Sequence, residues 1–313
     1  MNTTHLNLTD DSELFDIIID DTLHNLSIDQ SFNNKALLSL INDYEDGIWR
    51  LENFENFIFD SMVETALSAS EKEALLNKSF SRLQKSAKNL RLLEGEESGG
   101  EIGEILLYGI MKKYYNALPI VPKIFYKQNV NDYAKGADSI HLVLENDNEY
   151  SLWFGEAKFY NSLETSRLTK IVDSIANMLN TIKMKKELNI ITEIKDLEIY
   201  INDIELLKRI RKDFSDSISI DKLKSKIHIP IMLLYECSIT EIMIKSLNEY
   251  EEYKVKIKEE HLNIAKRFIK KQNEKLKEIY GYTDIKFHLI IFPIPNKSVI
   301  VERFTNKVKI MRD

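Results

Sequence analysis

The sequence predicts an α/β fold, a mixed central sheet flanked by helices, with a mainly helical N-terminal extension. Three observations carry that expectation. Two short runs, Ile227 to Tyr235 and Phe287 to Ile294, are apolar on both faces and of strand length, as in strands buried inside a sheet. Longer stretches with apolar residues at helical spacing separate the strand-like runs. Only 5 prolines and 9 glycines occur in 313 residues, which suits a helix-rich scheme, and 43% hydrophobic residues suffice for a sizeable core.

The elements follow in order. After a short irregular start, apolar periodicity through Ala36 to Ile41, Ile48 to Met62 and Ala74 to Leu93 predicts helices. Residues 1–93 therefore read as a mainly helical extension, a region for contact with a partner or with DNA. The segment Leu93 to Gly100 is rich in glycine and charge and reads as a linker, so the α/β core is expected over residues 94–313. Gly99 and Gly100 open a helix that runs to Tyr115, and Ile120 to Lys127 reads as a strand. Asp138 heads the alternating run Ser139 to Leu144, Glu145 to Asn148 supply turn chemistry, and Tyr150 to Phe154 return as the second strand of a hairpin. Leu163 to Glu187 reads as one long helix, Leu197 to Ile201 fits strand or helix, and a further helical stretch covers Thr240 to Ile279.

The chemistry-bearing residues cluster around that hairpin. Glu156 and Lys158 close the second strand, and because side chains alternate they leave the same face. A hairpin register brings Asp138 beside them. Two carboxylates converging on one point bind a hard cation such as Mg2+, with Mn2+ a substitute, and phosphate oxygens complete its coordination. A lysine two residues from one ligand can hold the attacking water or stabilise charge developing on the phosphate. Asp138 and Glu156 are thus the expected metal ligands of a metal-dependent phosphodiesterase, and Lys158 its water-positioning or charge-stabilising group. On the upstream helix, Glu101 sits near the edge of the apolar face and Glu104 points further away, so either is a candidate helix-borne ligand, Glu101 first. Read alone, both are also ordinary first-turn acids favoured by the helix dipole.

The order helix with Gly-Glu, strand, strand opening with Asp138, strand ending in Glu156-x-Lys158, then helix, resembles the core of the PD-(D/E)XK nuclease superfamily. More narrowly, Gly100-Glu101-Ile102-Gly103-Glu104-Ile105-Leu106-Leu107-Tyr108 with Leu152-Trp153-Phe154-Gly155-Glu156-Ala157-Lys158-Phe159-Tyr160 is similar to the HamA family, nuclease subunits of the two-gene Hachiman antiphage defence system. The resemblance implies a restriction-endonuclease-like core and a DNA-degrading effector. It further implies a helicase partner, HamB, that holds the nuclease inactive and releases it on engaging aberrant or invading DNA. By position, the superfamily's Asp falls on Asp138, its Glu on Glu156, its Lys on Lys158, and its helix acid on Glu101 or Glu104. Ala137 stands where the superfamily's name has Pro, a variable position.

Net charge is −7, yet it is segregated: residues 1–60 carry 13 Asp and Glu against 2 Lys and Arg, leaving the remainder net basic. A nuclease needs positive charge along the phosphate path. The expected DNA-binding run is Lys78 to Arg91, where Lys78, Arg82, Lys85, Lys88 and Arg91 are five cations without an acid. Arg167 and Lys170, near the start of the helix after Lys158, are placed to meet phosphates or to form a solvated face. Acids at Asp10, Asp11, Glu13, Asp16, Asp20 and Asp21 suggest a face that repels DNA or meets a basic partner, while Leu14, Phe15, Ile17, Ile18 and Ile19 among them argue for packing.

Other chemistries lack their signatures. The six histidines are scattered without metal-ligand spacing, and a single cysteine, Cys237, excludes an internal disulfide and a Cys-x-x-Cys site. No phosphate-binding Gly-x-x-x-x-Gly-Lys loop is present, so no nucleotide cofactor is expected on this chain. With no secretory signal pattern and no run of ~18 apolar residues, a cytoplasmic protein with no membrane association is expected. Two function classes stand: a Mg2+-dependent deoxyribonuclease, and a non-catalytic interaction subunit on a nuclease-like fold that regulates a helicase.

Overall fold

The structure, a computed structural model, describes residues 14–93, 95, 98–122, 124, 136–145, 149–193, 197–215 and 218–313. Its strands are β1 (Asp16–Thr22), β2 (Lys35–Ile41), β3 (Tyr44–Glu45), β4 (Ile48–Trp49), β5 (Leu118–Val121), β6 (Ser139–Leu144), β7 (Tyr150–Tyr160), β8 (Ile227–Glu236) and β9 (Lys286–Ile294). Its helices are α1 (Leu51–Ala66), α2 (Ala69–Ala74), α3 (Ser79–Asn89), α4 (Gly100–Tyr115), α5 (Thr165–Met178), α6 (Thr181–Glu193), α7 (Leu197–Tyr200), α8 (Ile204–Asp213), α9 (Leu247–Leu276) and α10 (Lys297–Arg312).

A seven-stranded mixed sheet has the order β1-β2-β9-β8-β7-β6-β5. Its middle, β2-β9-β8-β7, is parallel, and an antiparallel strand or pair closes each side. The middle strands are apolar on both faces because helices cover both. On β8, Ile229, Ile231 and Leu233 join one core with α5, α6, α8 and α9, while Met232 and Leu234 join another with α1, α4 and α10. Each such side chain, fully buried, contributes about 1.5–3 kcal/mol.

The hairpin, the two buried strands and the helix ending at Tyr115 lie where the sequence places them. Four readings are corrected. Residues 36–41 form β2 rather than a helix, and β1 precedes it, so the segment before residue 94 contributes two strands to the central sheet as well as α1 to α3. The reason is that Leu37 and Ile41 enter one core while Leu38 and Leu40 enter the other, and a run apolar all round fits strand and helix equally. The tiny hairpin β3-β4 occupies 44–49, so the next helix starts at Leu51. The long helix expected over 163–187 is broken at Asn180, whose side chain accepts from the Ile182 and Lys183 N–H groups at 3.0 and 3.4 Å and starts α6 afresh. The stretch from Thr240 becomes helical only after Ser246, which caps Glu249 N–H.

Residues 197–201, open between strand and helix, contain the short α7. The strand expected over 120–127 is observed as Leu118–Val121, with 123 and 125–127 outside the described residues, as are 146–148 of the hairpin turn, 94, 96 and 97 of the linker, and Asp10, Asp11 and Glu13. Asp16, Asp20 and Asp21 lie on the edge strand β1, where charge discourages further strand pairing, while Phe15 and Ile19 are buried.

Candidate active site at the end of the hairpin

β6 and β7 pair antiparallel with Ser139 opposite Gly155, so one step further Asp138 meets Glu156. The backbone tightens that end. Asp138 N–H donates to the Gly155 carbonyl at 2.8 Å, and its Oδ2 accepts from Ala157 N–H at 3.0 Å. Gly155 is demanded by the approach of α4: a Cβ there would lie 2.7 Å from Leu107 Cδ2 and inside contact distance of Ser139 Oγ.

Glu156 and Lys158 share the strand face of Phe154, toward α5, and not the face of Ala157 and Phe159, toward α4. Lys158 Nζ stands 2.5 Å from Glu156 Oε1 and 3.4 Å from Asp138 Oδ2, and donates to the Ala157 carbonyl at 3.1 Å. One ammonium therefore faces two carboxylates. Glu156 is 1% exposed, whereas the Lys158 and Asp138 side chains keep 27% and 19% of their surface, so the cluster is deep at Glu156 and reaches the surface at its partners.

Burial and the neighbouring Asp138 charge raise the Glu156 pKa, with Lys158 and the Ser174 hydroxyl of α5 pulling against them. Burial opposes the Lys158 charge, but Asp138 and Glu156 outweigh it and hold the amine protonated. Between two acids that disfavour each other's ionisation, a second, divalent cation would be stabilised. Among the described residues no group of three His, Cys, Asp or Glu is placed to hold a metal ion. A pair of carboxylates near the surface is the donor set of Mg2+, which keeps waters and takes substrate phosphates, rather than of a caged structural metal.

Three further residues stand around the cluster. Ser174 of α5 lies close enough to Glu156 to pull its pKa down. Tyr160 continues the Glu156–Lys158 face, and its pKa is raised, first by burial. Glu187 of α6, 3% exposed, places its carboxylate where a Cβ of Gly136 would lie, two residues before Asp138. Only a glycine at 136 leaves it that space.

The structure does not bring every expected residue to this cluster. Glu101 accepts from the N–H groups of Arg91 and Leu92 at 2.7 and 2.9 Å and so ties down the chain after α3. Glu104 is half-buried beside Gly103, whose Cα packs α4 against β7 at Ala157–Phe159, on the sheet face opposite Glu156 and Lys158. Of the five cations, Lys78 is the N-cap of α3, Arg82, Lys85 and Lys88 lie on it, and Arg91 follows its end. Lys85 pairs with Glu71 at 2.7 Å. The helix packs on α1 and α10, which also places it across the sheet from Glu156 and Lys158.

Fold and site together define a mixed α/β protein with a seven-stranded sheet flanked by helices, carrying an acid–acid–lysine cluster where its hairpin opens. The sequence model of the HamA family matches residues 15–308, nearly the whole chain, and the chain belongs to that family. Membership supports a role in Hachiman antiviral defence and implies a partner in a Hachiman complex. No curated protein matches the chain. Among the described residues no helix is long and apolar enough to cross a membrane.

Proposed function

We propose that the protein is a Mg2+-dependent deoxyribonuclease of PD-(D/E)XK type, the effector of a Hachiman complex, restrained by and released from a helicase subunit resembling HamB. The observation that carries the reading is the hairpin register, which sets Asp138 opposite Glu156 with Lys158 between them. Asp138 and Glu156 would hold the metal, with Mn2+ a substitute; when bound, it supplies a Lewis acid for the phosphate oxygens and lowers the pKa of a water. Neither helix acid is assigned as a ligand, because Glu101 is committed to the backbone of Arg91 and Leu92 and Glu104 stands on α4, across the sheet from Glu156 and Lys158.

Lys158 orients the attacking water and offsets the charge that builds on the phosphate. In-line attack forms the new P–O bond as the bond to the leaving sugar oxygen breaks; the attacking water gives up a proton to solvent and the leaving oxygen takes one from it. The Ala157 N–H keeps the Asp138 carboxylate facing inward, so it needs no reorganising as charge develops.

The test is loss of supercoiled plasmid with Mg2+ or EDTA, for wild type and for Asp138→Ala, Glu156→Ala and Lys158→Ala, each with and without the helicase partner. Cleavage that requires Mg2+ and all three residues, and that the partner changes, is the expected result. Equal cleavage by all four proteins would remove the mechanism. Partner binding by every variant with no cleavage anywhere would favour a non-catalytic subunit.

A further inference from the structure

Past Lys158, where β7 ends, a cleft of about 720 Å3 opens between the first turns of α5 and α10 and the chain at Gly95 and Ser98. That size is in the range of sites for small ligands or ligand fragments, roughly 300–1,000 Å3. Tyr160 lines it and continues the face of Glu156 and Lys158, and the Arg167 guanidinium lies 5.2 Å from the Tyr160 ring centroid. The cleft therefore begins where the acid–acid–lysine cluster ends.

Its cations are Arg167, Lys170 and Lys297. Arg167 donates to the Ser162 carbonyl and hydroxyl at 2.9 and 3.1 Å, and Lys297, 8% exposed, donates to the Phe159 carbonyl at 3.0 Å. All these acceptors are neutral. Among the described residues no carboxylate lies within 4.0 Å of any of the three cationic groups, and Glu164 and Glu302, which also line the cleft, are both exposed. Burial, then the charge of Arg167, depresses the Lys297 pKa against the pull of the Glu236 carboxylate, which accepts from the Lys297 backbone N–H at 2.8 Å, so the two cations still feel one another. Like charges gathered in a cleft beside a hydrolytic centre cost free energy that a bound anion offsets. Both flanking helices also point their N-terminal ends at it, adding positive potential.

We propose that this cleft is a phosphate subsite for a nucleic-acid strand, holding a phosphodiester that flanks the one presented to Asp138, Glu156 and Lys158. Arg167 is its principal contact, since a guanidinium fork fixed by Ser162 and Tyr160 matches phosphate oxygens in geometry as well as charge. Lys170 adds a surface charge, and Lys297 sets the potential of the floor. The inference rests on the nuclease reading above and extends it to the path of the substrate.

The experiment uses full-length protein and a short fluorescein-labelled DNA strand in EDTA, with anisotropy followed across a salt series and cleavage measured in parallel in Mg2+. Arg167→Ala/Lys170→Ala is expected to weaken binding about tenfold and to flatten the salt dependence by about 0.7 for each phosphate left without its cation. KM for cleavage should rise more than kcat falls, and Arg167→Lys should restore part of the affinity. Because Arg167 also braces the Ser162 turn, the exposed Lys170→Ala serves alone as the second variant, with affinity reduced about threefold. Wild-type affinity and salt slope in both variants, with wild-type cleavage intact, overturn the subsite and leave the nuclease standing. Lost binding in the double variant of a protein that never cleaves upholds the subsite and overturns the nuclease. A wild type that binds no DNA strand at low salt overturns the subsite.

Discussion

At Lys158 a single ammonium answers two carboxylates, one of them 1% exposed. The arrangement leaves Glu156 with a raised pKa and leaves negative charge that a divalent cation would neutralise. Mg2+ should therefore stabilise the folded chain, by about 2.7 kcal/mol when present at ~100 times its dissociation constant. Thermal melting of wild type and Glu156→Gln with and without Mg2+ checks this; the variant should lose the gain, and equal shifts would place the metal elsewhere. Gly136 offers a second test. A methyl group there would meet the Glu187 carboxylate, so Gly136→Ala should cost about 1–3 kcal/mol in urea unfolding, and removing the carboxylate as well should return part of it. Strict additivity of the two changes would deny the contact. Asp138, Glu156 and Lys158 were legible in the sequence because strand alternation and a hairpin turn relate them locally. Glu187 and Ser174 were not, since each comes from a helix later in the chain and only packing brings it in.

Among the elements, the hairpin announced itself through alternation and turn residues, and β8 and β9 through unbroken apolar runs. The strand β2 did not, because its side chains enter both cores and no polar face reveals a period of two. Its identity is set by β1 and β9, distant partners that a local reading cannot supply. The break at Asn180 is the converse case, where a polar side chain that could have sat on a helix surface instead captures two N–H groups. The close seating of α4 on the hairpin depends on Gly155. Gly155→Ala should push Leu107 and Ser139 aside at a cost of about 1–3 kcal/mol, and should loosen the pairing that sets Asp138 opposite Glu156. Denaturant midpoints measure the first effect and amide exchange at Asp138 and Ala157 the second. An unchanged midpoint would show that the helix has room to retreat.

For the whole molecule, two cores on either face of one sheet bury three histidines, His141, His228 and His261, and half-bury His288. His141, 0% exposed against the Tyr108 ring, and His261, His228 and His288 within the sheet-facing layers all have depressed pKa values. Burial pushes the first three down to about 3, with the Lys286 charge assisting at His228. Such rings stay neutral when folded but take protons once unfolded. Their contribution is complete above the unfolded pKa of ~6.5 and is lost as pH falls toward the folded values, at about 1.4 kcal/mol per pH unit for each histidine. His141→Leu should thus make the decline in stability between neutral and acid pH shallower by about one proton, whatever its effect at neutral pH. Identical slopes in the two proteins would mean that the buried ring is protonated in the folded state.

The same two-layer plan sets the site on the face of the sheet covered by α5 and the basic α3 on the other. Under the proposed function, hydrolysis belongs to the residues at the open end of the hairpin. Single-turnover cleavage of end-labelled DNA by wild type and by Lys158→Ala, in Mg2+ and in EDTA, puts that assignment to the test. Wild type should cleave in Mg2+ alone, and the variant should be slower by about 100-fold or more while circular dichroism shows it folded. Equal rates in the two proteins, or cleavage by wild type in EDTA, would refute the assignment.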